Sequence, residues 1–87
     1  MSLYVPVTHT FSCPVYYYNT EKLQEPAALT VSIAGPRQSI AQFVAHNPAI
    51  HIDGNDITNE AKQIIVTPAH LFLPDDIKLV HCSAIDL

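Results

Sequence analysis

An α+β domain, with a mixed or mostly antiparallel sheet of about five strands and two helices on one face, is predicted by three features of this sequence. Apolar and polar residues alternate with period two near the N-terminus and again over residues 27–34. One stretch after Gly35-Pro36 carries the i, i+3, i+4 spacing of an amphipathic helix. Proline and glycine divide the rest of the 87 residues into short segments without internal repeat, low-complexity tract or linker, so residues 1–87 read as a single domain.

The elements follow in order. Leu3, Val5 and Val7 alternate with Tyr4, Pro6 and Thr8, which marks a half-buried strand over residues 3–10; Pro6 places it at an edge or beside a bulge. Pro14 interrupts, and Val15-Tyr16-Tyr17-Tyr18 resumes with strong β formers. Residues 19–26 are polar and turn-like, with room for one helical turn at 21–24. Leu29, Val31 and Ile33 then alternate with Thr30 and Ser32 in the clearest strand of the chain, 27–34. Gly35-Pro36 breaks it and opens a helix, because proline at a first helical position sacrifices no hydrogen bond. Ile40, Phe43 and Val44 form its apolar stripe, and Asn47-Pro48 ends it.

Residues 49–53 read as a short strand closed by the Asp53-Gly54 turn. Strand, helix and strand over 27–53 predict a right-handed crossover between parallel strands. Asn55 or Asp56 is placed to cap a second helix bearing Ile57, Ala61, Ile64 and Ile65 on one face, although the β-branched run 64–67 also suits a strand. Residues 69–73 and 77–85 read as a hairpin turning at Pro74-Asp75-Asp76.

Composition narrows the function. Hydrophobic residues make up 48% of the chain and charged residues only 14%, against about 25% in average soluble domains. A domain this small has a large surface for its volume, so the shortage of charge implies an apolar surface covered by another subunit, and a homo-oligomer is expected. The net charge is -4, and the four basic residues, Lys22, Arg37, Lys62 and Lys78, are scattered singly. Too few cations are present to displace counterions from phosphate, which argues against nucleic acid as a partner. No run approaches the roughly 18 apolar residues of a membrane span, and no signal peptide is visible, so no membrane partner and a cytoplasmic location are expected. Cys13 and Cys82 fit that compartment as reduced thiols and form no C-x-x-C motif.

Five histidines, His9, His46, His51, His70 and His81, are the one functional residue type in excess. In the predicted terminal hairpin His70 lies opposite or diagonal to His81, close enough to share a transition metal. With a carboxylate such as Asp53, that pair defines the alternative reading, a small metal-binding protein or enzyme with a histidine-centred site. No His-Glu-x-x-His string supports it. Asp53-Gly54-Asn55-Asp56 fails the calcium-loop pattern, since glycine stands second rather than sixth and Ile64 occupies the twelfth position. Ser32 and Ser39 lack a nucleophile-elbow context, and two glycines in the whole chain build no phosphate-cradling loop. No cofactor is expected.

The run Tyr16-Tyr17-Tyr18 is the most unusual local feature. On a strand, Tyr17 faces one side while Tyr16 and Tyr18 face the other, which leaves a tyrosine pair for the surface or a partner. The leading expectation is a non-enzymatic, homo-oligomeric interaction module with Tyr16 and Tyr18 at its interface.

Overall fold

Strand β1, Pro6–Tyr18, organises the molecule. The computed structural model describes residues 5–21 and 28–87; the predicted strand start at 3–4 and most of the helical turn at 21–24 lie outside them. Strand β1 runs unbroken through Pro14, where two strands were expected. The reason is a change of partner at that residue. Pro6–Pro14 pairs antiparallel with β2, Ala28–Pro36, in a register that ends at Pro14 opposite Ala28. Val15–Tyr18 pairs parallel with β3, Ile50–Asp53. Proline is tolerated where a ladder ends, because the missing N–H costs no central hydrogen bond.

Helix α1, Arg37–Ala45, follows β2 and buries Ile40. It ends as its sequence predicts, with Asn47 in the left-handed region at φ 54°. The expected crossover between β2 and β3 is not formed. Both strands flank β1, with β2 antiparallel and β3 parallel to it, so the parallel pair is β1 and β3. The alternating pattern of 27–53 was compatible with either pairing, and the longer β1 supplied a partner on each edge.

The predicted second helix after Asp53 is also absent. Gly54–Asp56 makes one 3-10 turn, in which the Asp53 carboxylate accepts the Asn55 N–H at 2.9 Å. Strand β4 then occupies Gln63–Ile64. Ile64 turns inward, Ile65 is exposed and Val66 is buried. That alternation belongs to extended chain, which β-branched residues favour.

The terminal hairpin is likewise replaced. Pro68–Leu71 forms a short helix, α2, with proline in its first turn and buried Leu71. The Pro74 turn does form, with the Ile77 N–H donating to the Pro74 carbonyl at 3.1 Å, but it joins α2 to β5. Strand β5, Lys78–Cys82, adds antiparallel to β2 with a bulge between Ser32 and Ile33. Strand β6, Ile85–Asp86, pairs with β4.

The result is a four-stranded mixed sheet, β3-β1-β2-β5, with a small two-stranded sheet and two helices, an α+β fold. One core contains Cys13, Val15, Val31, Ile33, Ile40, Ile50, Ile52, Val66, Leu71, Ile77 and Ile85. Both glycines are fixed by close approach. A β-carbon on Gly35 would stand 2.7 Å from the Asp76 carbonyl oxygen, and one on Gly54 would stand 2.7 Å from that of Asn19.

The four-stranded sheet contributes to this core from one face, and the helices, loops and small sheet cover it with Ile40, Val66, Leu71, Ile77 and Ile85. Along β1 the inward row is Val7, His9, Phe11, Cys13, Val15 and Tyr17, and the outward row is Pro6, Thr8, Thr10, Ser12, Pro14, Tyr16 and Tyr18, all exposed. The molecule is elongated, 51 × 22 × 17 Å. Its radius of gyration is 14.3 Å, against about 12 Å for a compact domain of this length.

Candidate functional site

Register, not sequence proximity, builds the most distinctive cluster on the surface. The parallel pairing of β1 with β3 sets His51 opposite Tyr16 on the outward side. Their ring centres lie 6.1 Å apart, tilted by 31°. Tyr18, two residues along the same row, stacks on His51 at 5.7 Å, and its hydroxyl shares a 2.7 Å hydrogen bond with His51 Nδ1. Phe72 arrives from the end of α2 and meets the imidazole at 5.1 Å and 55°. Three aromatic rings therefore surround one imidazole.

The cluster is largely open to solvent. Tyr16 is 54% exposed, Tyr18 46% and Phe72 71%. Phe72 also has φ 53° and ψ 44°, the left-handed region that a bulky residue rarely adopts. An exposed aromatic held in an unfavourable backbone conformation contributes little to folding, and such positions concentrate at functional sites. A groove of about 420 Å³ runs beside the cluster, lined by Tyr16, Phe43, His46, Pro48, His51 and Phe72. No charged side chain lines it.

Opposite Tyr18 on the same outward side stands Asp53, and Asn19, left-handed at the end of β1, donates its side-chain N–H to Asp53 Oδ1 at 2.9 Å. Together with the Asn55 N–H, this bond holds the Asp53 carboxyl below the usual value of 3.8. The outward face continues along the other strands. Strand β2 contributes Thr30, Ser32 and Ala34, and the Thr10 and Ser32 hydroxyls bond across the ladder at 2.8 Å. The outward positions of β1 and β2 carry no charged residue at all.

The predicted histidine pair is not assembled. His70 lies in α2, where its Nδ1 accepts the Thr67 backbone N–H at 2.9 Å, the role Glu or Gln plays in a capping box. His81 lies on β5 opposite Ser32. Helix α2 packs on β3, at the sheet edge opposite β5, so the two imidazoles belong to different ends of the strand order. Asp53 and His70 do line one cavity of about 260 Å³, together with Asp56. Among the described residues, no group of three or more His, Cys, Asp or Glu side chains is placed to hold a metal.

The cysteines are thiols of low reactivity. Burial pushes the Cys13 thiol up to about 11, with the neighbouring Cys82 adding to the rise, and Cys13 Sγ donates to the Pro48 carbonyl at 3.4 Å. Burial raises Cys82 as well. A thiolate is disfavoured at both.

Tyr16 and Tyr18 stand where alternation placed them, while His51 and Phe72 were missed as their companions. The parallel register would have revealed His51, but nothing in the local pattern of β3 announces its partner strand. Phe72 fell in a segment read as strand, where its left-handed turn toward His51 has no sequence signal. No family model matches this chain, and comparison with curated proteins and with solved structures finds no match either. No described helix is long and apolar enough to cross a membrane.

Proposed function

We propose that this chain is a non-enzymatic interaction module that associates with copies of itself through the outward face carrying Tyr16, Tyr18, His51 and Phe72. The observation that carries this reading is the cluster itself, three exposed aromatic rings converging on an imidazole beside an uncharged groove. Aromatic side chains offer large contact area at low entropic cost, and they dominate the energetics of protein interfaces.

Surface area supports the same reading. A compact monomer of 9.6 kDa is expected to expose about 5,100 Å². This chain exposes 6098 Å². The excess, about 1,000 Å², is of the order of the roughly 800 Å² that each partner buries in a standard interface. Charge supports it too. The chain is acidic overall, yet β1 and β2 place no carboxylate on this face, and Asp53, opposite Tyr18 on β3, is engaged by the Asn19 side chain and the Asn55 N–H.

Sedimentation velocity over a concentration series tests the proposal. A reversible shift toward dimer or higher species is expected, together with a monomer for Tyr16→Ser, Phe72→Ser. A wild-type chain that stays monomeric throughout the micromolar range overturns the reading.

A further inference from the structure

We infer that the open edge of β1 between Pro6 and Pro14 takes up an extended peptide of another protein. The peptide lies antiparallel to β1, apolar at alternate positions and acidic at its C-terminal end. This goes beyond the outward-face reading and uses a different surface.

The register of β1 with β2 decides which way its backbone groups point. Residues opposite each other in an antiparallel ladder alternate between pairs that exchange two N–H···O bonds and pairs that exchange none. Pro6 stands opposite Pro36, and two prolines have no N–H to exchange. The register then runs unbroken to Pro14, so Thr8, Thr10 and Ser12 also occupy non-bonded positions. The 2.8 Å approach of the Thr10 and Ser32 hydroxyls agrees, because side chains stand closest in such pairs. The N–H and C=O groups of Thr8, Thr10 and Ser12 therefore point away from β2. Strand β3 takes up that edge only from Val15 onward, and among the described residues no strand pairs with it before. Donors and acceptors repeated at every second residue are what an added strand engages.

The chemistry of that strand is set by the groove beside the edge. On the inward row Cys13 and Val15 are buried, but Val7, His9 and Phe11 are only half-buried, so their cover is incomplete. Helix α1 runs alongside, from Arg37 next to Pro36 toward Pro48, whose carbonyl accepts from Cys13 Sγ. Between helix and edge lies a cavity of about 290 Å³ lined by Val7, His9, Arg37, Ile40, Ala41 and Val44. Residues directly opposite in a ladder share a face, so added side chains opposite Val7 and His9 enter this groove. Most of its walls are apolar. Its one permanent charge is the exposed Arg37 guanidinium, with no carboxylate among the lining residues of a chain whose net charge is -4. Arg37 stands at the Pro6 end, where an antiparallel strand finishes, so an acidic residue there meets it. Pro6 and Pro14 bound the slot, which takes one short segment and offers no ladder for continued growth.

Fluorescence anisotropy on the intact chain tests the inference. The probes are fluorescein-labelled, C-terminally amidated eight-residue peptides with Val, Ile, Leu or Phe at positions two, four and six, Asp at eight and Ser or Thr between. Saturable binding is expected, at least tenfold weaker when Lys replaces the Asp, and Arg37→Glu is expected to invert that preference. Methylating the peptide nitrogens at positions three, five and seven, which face β1, is expected to abolish binding; methylation at four and six is expected to spare it. Hydrogen exchange is expected to slow at the amides of Thr8, Thr10 and Ser12 when peptide is bound. Phe72→Ser, which alters only the outward face, is expected to bind peptide as wild type does, so the two readings fail separately. No binding across the set at millimolar peptide, full binding after methylation at three, five and seven, or protection confined to β5 overturns the inference. Protection of the same three amides that rises with chain concentration in the absence of peptide assigns the edge to a second copy and overturns it as well.

Discussion

Replacing Phe72 by glycine separates folding from assembly at a single position. In the folded chain Phe72 is 71% exposed, so about 29% of a side chain of roughly 200 Å² is covered. At about 25 cal/mol per Å² that coverage stabilises the monomer by about 1.5 kcal/mol. Against it stands the left-handed backbone at φ 53°, which costs an L-residue roughly 1–2 kcal/mol and glycine almost nothing. The two effects nearly cancel. Phe72→Gly is therefore expected to leave monomer stability within about 1 kcal/mol of wild type, while Phe72→Ala loses the contact and keeps the strain. The glycine variant should exceed the alanine variant by about 1 kcal/mol, the reverse of the order inside a helix. Assembly behaves differently, because the exposed remainder, roughly 140 Å² per protomer, is lost to the interface in both variants. Half of it covered in each of two protomers amounts to about 3.5 kcal/mol, or more than a hundredfold in the dimerisation constant. Urea unfolding measured below the association range and sedimentation equilibrium above it read the two terms separately. Glycine less stable than alanine would refute the strain argument, and unchanged dimerisation would refute the interface.

Other expectations follow from packing and titration. Gly35→Ala and Gly54→Ala each force a carbon to within 2.7 Å of a backbone carbonyl oxygen, and thermal melts should show losses of about 1–3 kcal/mol. With its thiol pushed up to about 11, Cys13 should resist iodoacetamide at neutral pH in the folded chain and react once urea exposes it; rapid native-state modification would contradict its burial. The Asp53 carboxyl is held below 3.8 by Asn19 first and the Asn55 N–H second, so its stabilising contribution is present above that value and fades as pH falls through the lower folded value. Urea midpoints followed from neutral pH into acid should therefore drop less steeply for Asp53→Asn and for Asn19→Ala than for wild type. His70→Ala removes the acceptor for the Thr67 N–H and should cost about 1 kcal/mol, and His70→Gln should restore much of it.

How far the sequence carried depends on which interaction decides each element. Period-two alternation is a local property, and it correctly identified β2 and the opposite orientations of Tyr17 and its two neighbours. The stop at Asn47 is equally local, since a left-handed residue before proline ends a helix wherever it stands. Strand partners are not local. Nothing within 49–53 tells that this strand pairs with Val15–Tyr18, and without that register His51 cannot be placed beside Tyr16. The segment 57–66 shows a second kind of failure. Ile57, Ala61 and Ile64 fit a helical stripe, but Val66 and Ile85 are both buried in the core, and tertiary burial selected the extended alternative. At Pro74 the turn was legible and its context was not, because a proline turn joins a helix to a strand as readily as two strands.

The shortage of charge that marked the sequence can now be located. A sheet that stands alone in water is ordinarily defended by charged side chains, bulges and short edges. This one defends its edges. Strand β5 carries Lys78 and a bulge, β3 is only four residues long, and β1 bears Pro6 and Pro14. Its outward face carries charge only near its margins, Lys78 opposite Ala34 and Asp53 opposite Tyr18, while hydroxyls satisfy one another across β1 and β2 and aromatic rings crowd the end of β3. Protection of the edges disfavours growth by strand addition, which has no natural stopping point. An isologous face-to-face contact closes after two copies. If the proposed self-association holds, defended edges favour a finite dimer over a fibre, and Lys78→Val, which removes a charge from the β5 edge, is expected to promote concentration-dependent aggregation in light scattering.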